Sequence, residues 1–354
     1  MLLERVATGG CQSYLVGCPE TRAAALIDPA SGQIDHYLGL ASQHGVRIRY
    51  LIDTHTHADH FSATLEMKQA LGLPVVMHVA APAVHADMRL EHGQSLIVGG
   101  LRFHVLHTPG HTRDSMCLVV DGHAFTGDTL LFGGTGRSDL PTGDPEQLYE
   151  SLFERLLRLD TATVIHPAHD YRNASRGGSP STIGTEIASN PRLQKRDRAE
   201  FIDMMRHLNL SAPTHLTEAL RTNMNGGVPV ARLLAEATAR VPFISLDQLA
   251  AAVTGRDNDL IVLDVREREQ FGSAHVPGAL HLPRGQLELR VNDMLPDPTR
   301  RIVTVCEHGS ISTLAAATLR TLGFTRVMAL DGGMRAWREA EYPSEGTVWE
   351  GGGL

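Results

Sequence analysis

Short runs of apolar and β-branched residues alternate along the first half of the chain with longer stretches whose apolar positions recur every three or four residues. The runs SYLVGC, AAALIDP, IRYLIDTH, PVVMHV, LRFHVLHTPG and SMCLVVDG predict strands, and Gln33 to His44 and Pro145 to Leu159 predict helices. This is the signature of an α/β layered domain. The segment Arg172 to Thr185 (RNASRGGSPSTIGT) is rich in Gly, Ser and Pro and reads as a loop inside that domain, because a further helical stretch follows from Gln194 to Leu208.

A second stretch without clear period, LSAPTHLTEALRTNMNGGVP, precedes a fresh β/α alternation that starts near Val241. The strand-like runs DLIVLDV, ALHLP, RIVTVC and RVMAL are separated by helical stretches at Gly285 to Asn292, Ser312 to Leu322 and Met334 to Ala340. Such an order builds a small parallel sheet. The expected division is a first domain over 1–228, a linker over 229–240 and a second domain over 241–346, with no internal repeat.

With 354 residues, 42% hydrophobic and 20% charged, the chain has ample apolar surface for two cores. Its net charge of -8, with no long Lys/Arg run, argues against nucleic acid as a partner. There is no apolar run of about 18 residues to span a bilayer, and the N-terminal sequence lacks a basic region followed by an apolar one and a cleavage site. A cytoplasmic protein without membrane association is expected. The four cysteines, Cys11, Cys18, Cys117 and Cys306, are too scattered for a disulfide framework. The first three lie beside strand-like runs and read as small buried thiols.

The strongest chemical signal is Thr54-His55-Thr56-His57-Ala58-Asp59-His60 at the end of the apolar run RYLID. A lone His among the chain's 19 is usually structural, but three with an Asp at a strand end are crowded enough to call for a cation. His111 in TPGHT, Asp128 in FTGDT and His169 in HPAHDY each end another β-like run, where a rigid sheet presents ligands. His104, His107, His123 and His166 fall outside the pattern and are expected to be structural. Imidazole suits Zn, Fe, Cu or Ni, and spacing alone leaves metal identity and count open.

The order H-x-H-x-D-H, then H, D and H, resembles the metallo-β-lactamase superfamily through about the first 225 residues. The resemblance implies an N-terminal αββα sandwich with its metal site along one edge. The segments GRSDL (Gly136 to Leu140), HDY (His169 to Tyr171) and NPRL (Asn190 to Leu193) resemble the persulfide dioxygenase branch. That branch implies one Fe(II) per chain, held by His55, His111 and Asp128 as a facial triad with open positions. His57, Asp59, His60 and His169 would then hydrogen-bond the ligands and fix their tautomers. The implied reaction oxidises glutathione persulfide with O2 to sulfite and glutathione. Arg192, Tyr171 and Arg137 are candidate contacts for the thiol peptide. A glyoxalase-type thioester hydrolase is the alternative, in which the full histidine set binds two metals and activates water.

In the second half, Asp264-Val265-Arg266-Glu267, Phe271, His275-Val276-Pro277-Gly278-Ala279, and Leu330-Asp331-Gly332-Gly333 with Trp337 resemble the signatures of rhodanese domains, over about Val241 to Pro343. The resemblance makes Cys306 the sulfur-carrying residue. The loop Glu307, His308, Gly309, Ser310, Ile311 and Ser312 would aim backbone N–H groups and a helix N-terminus at its sulfur, favouring the thiolate. Rhodanese loops often carry arginine where this chain has Glu307 and Ile311. High thiosulfate:cyanide activity is therefore not expected, and a Glu307 pointing inward would oppose the thiolate. The reading leaves both directions of transfer open, as well as a carrier or docking role for this domain. Sulfite and thiosulfate join glutathione persulfide and O2 as expected partners, tethering raises the concentration of any shared intermediate, and the chain is compatible with a homodimer.

Overall fold

The computed structural model describes residues 1–346 except Gly9, 172–179, Asn209, Ala212, Thr214 and His215. The chain forms two compact units that divide after Gly227. In the first, β1 (Leu2–Thr8), β2 (Cys11–Gly17), β3 (Ala23–Ile27), β4 (Arg47–Ile52), β5 (Val75–His78) and β6 (Met88–Leu90) form one sheet in chain order. A second sheet has the order β14-β13-β10-β9-β8-β7. Its strands are β7 (Ser95–Val98), β8 (Leu101–His107), β9 (Met116–Val120), β10 (His123–Gly127), β13 (Val164–Pro167) and β14 (Ser181–Thr182). A short hairpin, β11 (Leu130–Leu131) and β12 (Gly134–Thr135), follows β10.

The alternation read from the sequence becomes layers here, because successive strand residues point to opposite faces. Tyr14 and Val16 of β2 join Ile27, Ile52, Val76, Phe103, Leu118 and Phe125 in a core built from both sheets. Leu15 of the same strand points the other way, into a cluster with Tyr37 of the helix Ile34–Gln43 and Met67 of the helix Thr64–Leu71. The other sheet is covered by Leu148, Leu152 and Phe201, among others. The N-terminal unit is thus an αββα sandwich.

In the second unit β15 (Phe243–Ile244), β16 (Leu260–Asp264), β17 (Leu280–His281), β18 (Arg301–Val305) and β19 (Val327–Leu330) form a sheet of order β15-β19-β18-β16-β17 in which every pair is parallel. Apolar clusters cover both faces, one including Leu263, Ile302 and Leu319, the other Val303, Leu330 and Trp337. Among the described residues, no helix is long and apolar enough to cross a membrane.

Three segments differ from the sequence reading. Residues 172–179 of the expected loop lie outside the described residues, and from Ser181 the chain is already β14 and then the helix Ile183–Ser189. Thr182 caps that helix, its hydroxyl accepting the Thr185 N–H at 3.1 Å. The aperiodic stretch before Val230 contains the helix Leu216–Asn225 with Ala219 and Asn223 buried. The expected linker 229–240 is occupied by the helix Val230–Arg240, which buries Ala237 and packs on the helix Ser310–Thr321. Flanking Gly and Pro masked the short apolar recurrence Leu233, Leu234, Ala237 in both a composition and a period reading.

Candidate metal centre and thiol loop

His55 to His60 leave the end of β4, His111 follows β8, Asp128 follows β10 and His169 follows β13. Four strand ends of two sheets therefore meet at one edge of the sandwich. One ligand atom each from His55, His111 and Asp128 lie within 4.8 Å of one another, and all three residues are buried. A cavity of about 510 Å³ opens onto this edge, lined in part by Asp59, His111, Asp128, His169, Tyr171 and Arg192.

Neighbouring hydrogen bonds set which imidazole nitrogen is free. The Thr54 hydroxyl donates to Asp28 Oδ2 at 2.9 Å, so its oxygen accepts from His55 Nδ1–H at 3.0 Å. This leaves the lone pair of His55 on Nε2. His111 Nδ1–H donates to the Arg137 carbonyl at 2.8 Å, and its Nε2 lone pair lies 3.4 Å from Asp128 Oδ2. Burial holds His55 and His57 well below the ordinary imidazole range, so both are neutral and fit to coordinate.

Buried polar atoms are nearly always hydrogen-bonded. Here His55 Nε2 and Asp128 Oδ1 are buried without a partner among the described residues, and so are His57 Nδ1 and His60 Nε2. The atoms of His55 and Asp128 cluster with His111, and lone pairs that converge without donors fit a cation, which accepts from all of them.

His57 Nε2 donates to the Asp28 carboxylate at 3.1 Å, and the amide of Asn223 donates to the carbonyls of His57 and His60. His169 Nε2 lies 3.2 Å from Asp59 Oδ2 and 3.5 Å from Asp128 Oδ2. Burial works against a charge on His169, but Asp128 and the hydrogen bond to Asp59 outweigh it and keep its proton. Two glycines let the backbone approach. A Cβ on Gly136 would meet the Asp128 carbonyl, and one on Gly110, whose φ is +136°, would meet the Leu148 backbone.

Asp28, Thr54 and Asn223 were missed by the sequence reading, as was Cys11. The thiol of Cys11 lies 3.6 Å from Asp59 Oδ2 and clusters with His60, although its place in a strand suggested a buried structural residue. Asp28 had a usable signal, the end of the run ALIDP just before a turn; Asn223 had none, because its helix was not recognised. His104, His107, His123 and His166 stay out of the cluster; His123 and His166 bond each other at 2.8 Å.

The candidate peptide contacts differ in what their donors do. The Arg137 guanidinium is engaged by Asp139 and by the carbonyls of Leu210 and Ser211. Arg192 bonds only the Thr135 carbonyl and hydroxyl, with no carboxylate partner among the described residues. Tyr171 is exposed and its ring stacks on His169.

Replacing Thr54 by valine removes the group that orients His55 while keeping its shape. Losing such an outer partner costs about 10–100-fold in metal affinity. A chelator competition on the Thr54→Val and Thr54→Ser proteins is expected to show that loss for valine only.

In the second unit Cys306 directly follows β18 and is buried, and the Gly309 N–H donates to its Sγ at 3.2 Å. Gly309, at φ +92°, turns the chain into the helix Ser310–Thr321. Ser312 is buried and bonds the Gly309 carbonyl, whereas His308, Ser310 and Ile311 are exposed around the loop. The Glu307 carboxylate does not stand unpaired beside the thiol: Arg266 Nη1 donates to it at 3.1 Å and Arg338 grips both its oxygens. The bond from Arg338 keeps Glu307 below the usual carboxylate range.

An αββα sandwich with imidazoles and carboxylates converging at one strand edge defines the metallo-β-lactamase class of proteins. Residues 6–169 match the model of the metallo-beta-lactamase superfamily, and residues 245–340 match the rhodanese-like domain. The chain is 36% identical over 219 residues to the mitochondrial persulfide dioxygenase of Homo sapiens, an alignment covering 61% of this chain and 84% of that protein. The crystal structure of ETHE1 from Myxococcus xanthus superposes with a TM-score of 0.61 at 36% identity, covering 63% of this chain and 98% of that one. The hydroxyacylglutathione hydrolase of Anaeromyxobacter dehalogenans is 41% identical over 149 residues, 42% of this chain and 57% of that protein. The chain belongs to the metallo-beta-lactamase superfamily, alongside the persulfide dioxygenases, with a rhodanese-like domain fused behind it.

Proposed function

We propose that the N-terminal unit oxidises glutathione persulfide with O2 to sulfite and glutathione, and that Cys306 carries sulfane sulfur between thiols, sulfite and thiosulfate. The observation that carries the first half is the convergence of His55, His111 and Asp128 at the end of an open cavity, with orphaned lone pairs on His55 Nε2 and Asp128 Oδ1. The likeness to persulfide dioxygenases supports Fe(II) as the ion, held by these three residues. Ferrous iron supplies the O2 and redox chemistry that side chains lack. The reaction balances as one persulfide, one O2 and one water giving glutathione, sulfite and two protons.

The protein's own part is binding and orientation. Arg192, partly buried and without a carboxylate partner among the described residues, offers its guanidinium to a peptide carboxylate. Leu131, Phe132 and Leu140 give the cavity an apolar wall that limits water. His169 keeps a proton between Asp59 and Asp128 at the cavity edge.

Arg192→Leu is expected to raise KM for glutathione persulfide about 10-fold or more, the loss of one charge-assisted contact, with kcat changed much less. Steady-state O2 uptake against substrate concentration separates the two.

A second reading, a dimetal thioester hydrolase, is favoured by the orphaned His57 Nδ1 and His60 Nε2, which two metals would also use. One experiment discriminates. Anaerobically iron-loaded protein is given glutathione persulfide in an oxygen electrode, with sulfite and bound metal measured. O2 uptake matched by sulfite at one iron per chain is expected; a bound metal pair, no O2 uptake and hydrolysis of a glutathione thioester would replace this reading with the hydrolase.

A further inference from the structure

The edge of the second unit's sheet that carries Cys306 also carries Arg266, just after β16, and the start of the helix Gly333–Glu339, just after β19. All strands run parallel, so these segments meet around one loop. Two cations of this edge end on Glu307. Arg266, almost fully buried, gives most of its donors to Asp264 and the Ala274 carbonyl and one to Glu307. Arg338 is 43% exposed and holds Glu307 through both terminal nitrogens. The remaining cation of that helix, Arg335, is paired with Glu339 at 2.9 Å. Asp264, Arg266, Glu307 and Arg338 cancel one another's charge. Ile311, 52% exposed, adds an apolar surface on the same loop.

We propose that Glu307 is a specificity-determining residue of the Cys306 site: by clamping Arg338 it neutralises that cation at the rim, so that the site accepts alkyl persulfides and discriminates against thiosulfate. The proposal rests on the sulfur-transfer reading above. With thiosulfate, the Cys306 thiolate attacks the outer sulfur, a Cys306 S–S bond forms, the thiosulfate S–S bond breaks, and sulfite leaves with the electron pair. A monoanion and a dianion must approach while Arg266 and Arg338 are both already paired with carboxylates. With a persulfide RS–SH, the same attack on the outer sulfur expels RS⁻, which takes up a proton, and less charge is gathered at the reacting atoms. No net oxidation occurs in either case. The repulsion avoided is of the size that decides between substrates, because charges a few ångströms apart at a partly desolvated rim are weakly screened.

The test uses the full chain. Alkylation of Cys306 by anionic iodoacetate and by neutral iodoacetamide is followed on the Cys306 peptide by mass spectrometry, so the local field is read without turnover. Glu307→Gln is expected to raise the iodoacetate:iodoacetamide rate ratio at least about fivefold, and Arg338→Met to lower it. In parallel, the ratio of kcat/KM for thiosulfate over glutathione persulfide, with cyanide as acceptor, is expected to rise at least about tenfold in Glu307→Gln. An alkylation ratio unchanged within about a factor of two in both variants, each with an intact melting transition, overturns the proposal. A shifted alkylation ratio without transfer from either donor, in wild type or variant, instead overturns the sulfur-transfer reading and leaves the charge assignment standing.

Discussion

His111→Ala and Asp128→Ala are each expected to abolish O2 consumption with glutathione persulfide and to yield protein without iron. The triad has three ligand atoms within 4.8 Å, and either change leaves two. Losing a partner outside the ligand set already costs about 10–100-fold in affinity, so losing a ligand costs more. The C-terminal unit has its own core around Leu263, Ile302 and Leu319 and is expected to keep its melting transition and its Cys306 reactivity. Iron content by elemental analysis beside the oxygen electrode checks this; full uptake by either variant would refute the ligand assignment.

Cys306→Ser is expected to remove sulfur transfer to background while O2 uptake with supplied glutathione persulfide persists. The thiolate is the nucleophile toward sulfane sulfur, and a serine hydroxyl at neutral pH offers neither its ionisation nor its affinity for sulfur. The change is nearly isosteric in a buried position, and the Gly309 N–H that donates to Sγ can donate to Oγ, so the loop should survive. Thiosulfate formed from sulfite and glutathione persulfide is the readout. Undiminished formation would move sulfur transfer off this loop and leave the domain a carrier or docking module.

Much of the molecule was legible beforehand because its chemistry is concentrated at strand ends. The run His55 to His60 could be read as a candidate metal site because four crowded polar groups at the close of an apolar strand have few other uses. Cys306 stood out for a similar reason, a cysteine at a strand end followed by a helix-forming stretch. Asn223 and the helix Val230–Arg240 were not legible, because short amphipathic helices beside Gly and Pro carry too little period to separate from loop. Cys11 was misjudged: a residue in a strand has two faces, and local pattern does not say that the next layer brings Asp59 and His60 to one of them.

The one-dimensional order of residues determined by itself the two layered α/β units and which side-chain types gather at the strand ends, since hydrophobic period and side-chain type are local properties. Tertiary structure alone decided which lone pairs are free and which charges are spent. Thr54 fixing the tautomer of His55, Arg192 reaching the Thr135 carbonyl with no carboxylate partner among the described residues, and Glu307 bound by Arg266 and Arg338 all depend on groups far apart in the chain. Hydrogen bonds and ion pairs act over a few ångströms, and only folding sets those distances.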